Sequence, residues 1–309
     1  MTLRLRSGQV QRRLLRWYGR HGRSGLPWRT TRDPYRTVVS EFMLAQTQVE
    51  RVAPKFEAFL EQFPSFRALA QASRADVLRE WKGFGYNSRA VRLHSLAQTV
   101  VQRYGETLPK DADELRSLPG VGRYTAAAIR AFAFNIDDAP VDTNVRRIVN
   151  RVLFGLEYPR PIAARRLDEC ARSLVPRGRA HDWNSAMMDL GATLCTARAP
   201  KCLLCPLRTD CAAAPVDAAR LERLRAAEGR SRPPKERVPF ALTTRYARGR
   251  IVDRLRDLPP GQRISLLDLY DSLAGSLAGR SFDEVRAFVG SLERDGLVTH
   301  DGTHVALRE

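Results

Sequence analysis

The chain holds 309 residues with an ordinary share of apolar side chains, enough for two or three packed domains. Its 52 basic residues outnumber 34 acidic ones, a formal net charge of +18, so nucleic acid is the natural partner of its surface. No apolar run approaches the length of a membrane span, which excludes a membrane-spanning helical protein.

The first thirty residues are rich in Arg and contain no acid, as in a transit peptide. They lack Ser enrichment and run straight into "LPWRTTRDPY", so the segment is read as structured. The stretch "TVVSEFMLAQTQVERV" follows Asp33-Pro34, a cap followed by proline at the first helical position. Read as a helix, it places one carboxylate, Glu41, on a face with Val38, Leu44 and Ala45. A carboxyl among apolar neighbours is costly to ionise. That cost suits a group that must still hold a proton near neutral pH.

Up to about residue 212 the chain reads as helix after helix. Helical spacing recurs in "VAPKFEAFLEQF", "ADVLREW", "RAVRLHSLAQTVVQRYG" and "AAIRAFAF". The linkers are short and carry Pro, Gly, Asp or Ser, as in "KGFGYNS" and "TLPKDA". In "LRSLPGVGRYTAAAIRAFAF", Gly120 and Gly122 can take positive φ in a tight hairpin between two helices. Backbone N–H groups of Gly120, Val121, Gly122 and Arg123 would then form a phosphate seat. The pattern is a helix-hairpin-helix, a sequence-independent anchor for the DNA backbone. In "APVDTNVRRIVNRV", Asp142 precedes a basic, apolar-periodic helix. By position it is a helix cap. It is also a candidate second carboxylate, because glycosidic cleavage wants an acid on the leaving group and an anion near the sugar.

Four of the five cysteines, Cys195, Cys202, Cys205 and Cys211, follow a C-x6-C-x2-C-x5-C spacing. Such clustering points to an intracellular metal site. An iron–sulfur cube uses four thiolates, and zinc is the alternative. A single CxxC with a long first gap favours the cube. Arg198, Lys201 and Arg208 are interleaved and could press on phosphates. Cys170 is read as a small buried apolar residue. Residues 213–240 read as an exposed linker. Residues 241–309 read as a separate winged-helix-like α+β unit of three helices and a two-stranded hairpin around Asp301-Gly302. Its recognition helix would be 281–293, although Glu284, Glu293 and Asp295 suit DNA poorly.

Over about residues 10–212 the chain resembles the helix-hairpin-helix DNA glycosylases that carry an iron–sulfur cluster, most closely the adenine DNA glycosylases of the MutY type. The resemblance rests on "LPWR", "SEFMLAQTQV", "GFGYNSRA", "LPGVGRYTA", "VDTNVRRI", "AMMDLGATLCT" and the four cysteines. It implies an all-α, two-lobed core, with a central lobe at 30–134 and a second lobe formed by 1–29 and 135–212. It implies a [4Fe-4S] cluster on the four cysteines and a bacterial, cytoplasmic, monomeric enzyme acting on mismatched double-stranded DNA. The implied reaction is hydrolysis of the N-glycosidic bond of adenine opposite guanine or 8-oxoguanine. Glu41 would be the catalytic acid, Asp142 the anion that steadies the sugar cation, and Asn144 its positioning partner. Tyr124 falls where relatives of the endonuclease III type carry a lysine nucleophile, which implies base release without a strand nick. Trp28, Arg29 and Leu44 would line the base pocket, and Gln46 and Tyr86 would enter the duplex. Ala45 replaces the first of the family's paired glutamines. Ser185 stands where relatives often carry Gln or Glu against the adenine. The winged unit stands where the family carries a Nudix-like domain. These departures keep excision of thymine or uracil from T:G or U:G mismatches open as an alternative, beside a non-enzymatic DNA-binding role.

Overall fold

A computed structural model describes residues 3–158, 162–230 and 238–309. Twelve α-helices precede the C-terminal segment: α1 Leu3–His21, α2 Pro34–Leu44, α3 Val49–Gln62, α4 Phe66–Gln71, α5 Arg74–Glu80, α6 Ser88–Tyr104, α7 Ala112–Arg116, α8 Arg123–Phe132, α9 Thr143–Phe154, α10 Ala164–Ser173, α11 Ala180–Thr193 and α12 Ala218–Arg230. The C-terminal segment adds α13 Thr244–Arg256, β1 Ile264–Ser265, α14 Leu266–Leu273, α15 Phe282–Arg294, β2 Val298–His300 and β3 His304–Leu307. No helix among the described residues is long and apolar enough to cross a membrane. The expected linker at 213–240 falls partly outside the described residues; its first part contributes α12.

Contacts divide the chain into two compact units. One draws on Met1–Val38, Lys110–Ser117 and Val121–Pro234, the other on Val39–Pro109, Leu118–Gly120 and Lys235–Glu309. In the first, α1, α9, α10 and α11 bury a core of Leu14, Ile148, Val149, Leu167, Trp183, Met187 and Leu190. Cys195, Cys205 and Cys211 pack against this core. Asp138 ties α8 to α10, accepting from Arg130 and Arg172.

In the second unit, α3–α6 bury Phe56, Phe59, Trp81, Leu93 and Leu96. The helices start where the sequence supplies a cap: Ser65 accepts from Ala68 N–H and Ser73 from Asp76 N–H. The C-terminal segment carries a three-stranded antiparallel sheet in the order β1-β3-β2, with Ile264 opposite Val305 and Val298 opposite Leu307. Sequence reading expected two strands; β1 is only two residues long, too short to leave an alternating pattern. The turn is also longer than the expected two-residue hairpin. Asp301 accepts from the backbone of Thr303 and His304, and those bonds hold its carboxyl far below the usual range.

This segment packs onto the helices of its own unit through a buried arginine. Arg256, only 7% exposed, donates to Leu78 O at 2.7 Å, Asn87 Oδ1 at 2.8 Å and Asp253 Oδ1 at 2.8 Å. Lys82–Asp257 and Arg74–Gly296 add outer contacts. Removing the guanidinium leaves the buried Leu78 carbonyl unpaired and takes the charged donor from the half-buried Asn87 and Asp253. Arg256→Ala is therefore expected to destabilise the protein by about 2–4 kcal/mol. Chemical denaturation should give a lower midpoint, whereas Arg254→Ala on the same helix should leave it nearly unchanged.

Candidate active site

The carboxylate-bearing helix α2 begins as its sequence dictates. Asp33 Oδ1 accepts from Arg36 N–H at 3.0 Å, and Pro34 occupies the first turn. Tyr35, Val38, Val39, Phe42 and Met43 form its buried stripe. Glu41 lies half-buried beside that stripe. Its expected face is less enclosed than the pattern suggested, because Leu44 is half-buried and Ala45 exposed. Gln46 follows, exposed and in the left-handed region at φ 63°.

A residue the sequence reading missed fixes this end of α2. Half-buried Arg89 donates from Nη1 to Phe42 O at 2.7 Å, Met43 O at 3.0 Å and Ala45 O. From Nη2 it reaches Thr47 Oγ1 at 3.0 Å, Phe84 O at 3.1 Å and Gly85 O at 3.2 Å. The last carbonyls of a helix lack partners within it, and a cation there also meets the helix dipole. One guanidinium thus ties the acid's helix to the loop that carries Tyr86. Burial draws the Arg89 pKa down to about 10, so it stays charged. Tyr86 is a half-exposed tip at φ 46°, its hydroxyl accepting from Arg245 at 2.6 Å.

The hairpin glycines divide their roles. Gly120 has φ 79°, and a Cβ there would stand 2.9 Å from the Phe42 ring, next to Glu41 in sequence. Gly122 does not use its freedom to take positive φ; it is extended, at φ −93°, and precedes α8 as its cap. Nothing stands within 4 Å of a Cβ at Gly122, so the approach to the first N–H groups of α8 is open. Val121 is buried and Arg123 exposed, paired with Asp168.

The second carboxylate belongs to the other unit. Asp142 caps α9, Oδ1 accepting from Val145 N–H at 2.7 Å. Its Oδ2 accepts from Asn144 Nδ2 at 2.9 Å. Asn144 Oδ1 in turn accepts from Arg147 Nη2 at 2.7 Å, and Arg147 Nε donates to Cys195 O at 2.7 Å. Arg147 Nη2 also reaches Gly191 O at 2.8 Å. An unbroken chain of bonds therefore runs from the cysteine loop to the Asp142 carboxylate. Gly191 makes it possible: a Cβ there would lie 2.5 Å from Asn144 Cβ. Arg147 was readable in principle, since it stands at i+3 from Asn144.

Tyr124, half-buried on α8, lines a cavity of about 380 Å³ with Arg123, Val141, Arg146 and Asp168. Burial holds the Asp168 carboxyl above its usual range, against the pull of Arg123, Arg172 and Arg146. Trp28 and Arg29 form a 3-10 turn. Arg29 Nη1 donates to Asp189 Oδ2 at 2.8 Å, and Arg23 Nε to Asp189 Oδ1 at 2.8 Å. Asp189 is fully buried, and these bonds hold its carboxyl low against burial. Arg29 is thus committed to an ion pair that the motif did not reveal. Ser185 is fully buried on α11, and its Oγ has no hydrogen-bond partner among the described residues.

Cys195, Cys202, Cys205 and Cys211 line one pocket with Ile148, Arg151 and Leu207. Arg151, 1% exposed, donates from Nη1 to Cys195 Sγ at 3.3 Å, while its buried Nη2 has no partner among the described residues. Backbone N–H groups point at the Cys205 and Cys211 sulfurs. Burial, with the neighbouring Cys195, Cys211 and Cys202, pushes the Cys205 thiol up to about 12. Sulfurs gathered in a dry pocket under N–H donors suit thiolates neutralised by a metal cation. Among the described residues no three His, Cys, Asp or Glu are placed to share a single ion. A cube does not ask that of them, because each of its irons takes one thiolate.

A family model for the HhH-GPD superfamily base excision DNA repair protein matches residues 39–172. A curated "Adenine DNA glycosylase" from Mycolicibacterium smegmatis is 42% identical over 293 residues, covering 94% of this chain and 93% of that protein. Another, from Mycobacterium tuberculosis, is 40% identical over 245 residues, covering 79% of this chain and 77% of its own length. Among solved structures, a thermostable thymine-DNA glycosylase aligns with TM-score 0.63 and 32% identity over 68% of this chain and 97% of its own.

Gly191→Ala is expected to force α9 and α11 apart, costing about 1–3 kcal/mol. A thermal melt should fall by several degrees; an unchanged melt would mean that the Asn144 approach is not tight.

Proposed function

This chain belongs to the HhH-GPD superfamily of base excision DNA repair proteins, among the adenine DNA glycosylases, and we propose that it hydrolyses the N-glycosidic bond of adenine mispaired with guanine or 8-oxoguanine. The observation that carries the chemistry is the Asp142 carboxylate, fixed through Asn144 and Arg147 and accompanied on α8 by a tyrosine rather than an amine. The duplex backbone rests on the exposed N-terminus of α8 and on basic side chains. The target nucleotide leaves the stack, which a mismatch makes cheaper. Glu41 donates its proton to the leaving base, and departure of the base leaves an oxocarbenium-like sugar. Asp142, held by two donors, steadies that cation until water adds. With Tyr124 in place of lysine, no amine attacks the sugar, and the strand stays whole.

The four cysteines would hold a [4Fe-4S] cluster. When bound, it supplies four metal–thiolate links that fix the 195–211 loop, with Arg198, Lys201 and Arg208 exposed on it. Arg151 would then donate to a ligated sulfur. The purified protein is expected to be brown, with absorbance near about 400 nm and with iron and sulfide in equal amounts. Stoichiometric zinc without sulfide would refute the cluster.

Thymine excision is the second reading, favoured by the likeness to a thymine-DNA glycosylase and by Ser185. The direct test of the mechanism is Glu41→Gln. Single-turnover release of adenine from an A:G duplex should fall by roughly 100- to 10,000-fold with affinity largely kept. Near-normal release would remove Glu41 from the acid role. Borohydride should trap no protein–DNA adduct; a robust adduct would contradict the hydrolytic route.

A further inference from the structure

Helix α1 carries a charge pattern that neither the core nor the catalytic site uses. Its inner face meets α11, with Val10 and Leu14 buried and Trp17 and Tyr18 packed beside them. Its outer face carries Arg12, Arg16 and Arg20, all exposed. They stand at i, i+4 and i+8, so they share one line along the helix. At 1.5 Å per residue that line is about 12 Å long. None of the three meets a carboxylate among the described residues, and the first acid of the chain is Asp33.

Like charges one turn apart on a helix repel, so the stripe works against the stability of α1. Elsewhere in this unit the helical arginines find partners. On α12, Arg220 meets Glu157 and Arg225 meets Glu222. On α10, Arg165 meets Glu169.

The stripe continues a second basic surface. The cysteine loop 195–211 exposes Arg198, Lys201 and Arg208 and contains one acid, Asp210. That acid is covered: Arg13 of α1 donates to its Oδ2 at 2.9 Å, and its side chain is 8% exposed. One bond thus joins α1 to the loop and neutralises the loop's only negative charge. Helix and loop belong to the same unit, and together they form a surface of one sign.

A line of cations without counter-ions fits a partner whose negative charge repeats. One strand of a duplex carries a phosphate about every 3.4 Å of its axis, so the stripe spans about three or four phosphates. Each guanidinium can fork onto phosphate oxygens. We propose that α1 is a track for the DNA backbone outside the mismatch, with Arg12, Arg16 and Arg20 extending the contact made by the cysteine loop. It reads no base, so it holds any sequence and keeps the protein on the duplex during search. The assignment rests on the DNA-repair reading above and adds to it a surface that shares no residue with the catalytic site.

The test uses the full-length protein and long duplexes. One is fully paired, and one carries opposite guanine a 2′-fluorinated adenosine that resists hydrolysis. Affinity is read by fluorescence anisotropy over a range of salt, and the slope of log affinity against log salt counts phosphate contacts. Arg12→Ala/Arg16→Ala/Arg20→Ala should flatten that slope by about 2 to 3 on both duplexes, since each lost contact removes about 0.9. Its melt should not fall, because the repulsion along α1 is relieved. The preference for the mismatched duplex should stay. Arg12→Lys/Arg16→Lys/Arg20→Lys should keep the wild-type slope. Arg220→Ala/Arg223→Ala/Arg225→Ala, which takes the same charge from α12, should keep it too. Three results overturn the proposal: a wild-type slope in the α1 alanine variant, which would leave the stripe to an acidic protein; an equal flattening in the lysine or α12 variant; or loss of the mismatch preference together with the slope. Failure of the catalytic reading shows separately, as no free adenine from a cleavable A:G duplex while the slope still depends on α1.

Discussion

Arg147 is the point on which the packing around Asp142 turns. It is 7% exposed, yet it is accepted by Asn144 Oδ1, Cys195 O and Gly191 O. Each bond from a charged donor in a dry setting contributes about 1.5–3 kcal/mol. The set fixes Asn144, and Asn144 fixes one oxygen of Asp142. The same guanidinium therefore serves the cysteine loop and the carboxylate. Loss of order in that loop should be felt at Asp142.

Buried arginines recur as braces in this chain. Arg89, Arg147, Arg151 and Arg256 all end on backbone carbonyls. A guanidinium has donors enough to satisfy several orphaned carbonyls at once and stays charged when buried. The consequence bears on the net charge of +18. Part of that charge is internal mortar and never faces a phosphate. Arg198, Lys201 and Arg208 in the cysteine loop, Arg123 at the start of α8 and Arg245 beside Tyr86 are among the charges that do face outward.

Local patterns in the sequence carried much of this. The Asp33-Pro34 start of α2, the run of helices, the hairpin at Gly120 and the gathering of four cysteines all follow from short-range signals. Long-range partners were not legible. Nothing near Arg89 announces that its acceptors lie about forty residues earlier. The Arg29–Asp189 pair joins residues 160 apart, so the motif "LPWR" could not reveal it. Which hairpin glycine takes positive φ was not legible either, because glycine permits it without requiring it: Gly120 does and Gly122 does not. Glu41 was placed correctly on α2, but the enclosure of its face depended on whether Leu44 and Ala45 met other helices, which periodicity alone does not specify.

A carboxyl on α2 and a fixed carboxylate at the start of α9 would serve several leaving groups, so the identity of the released base is where the functional claim is most exposed. Single-turnover base release from A:G, A:8-oxoguanine, T:G and U:G duplexes, measured side by side, addresses it directly. Free adenine should appear at least roughly a hundredfold faster than thymine or uracil, the margin expected of a pocket that hydrogen-bonds its own base. Thymine leaving T:G as fast as adenine leaves A:G would contradict the assignment.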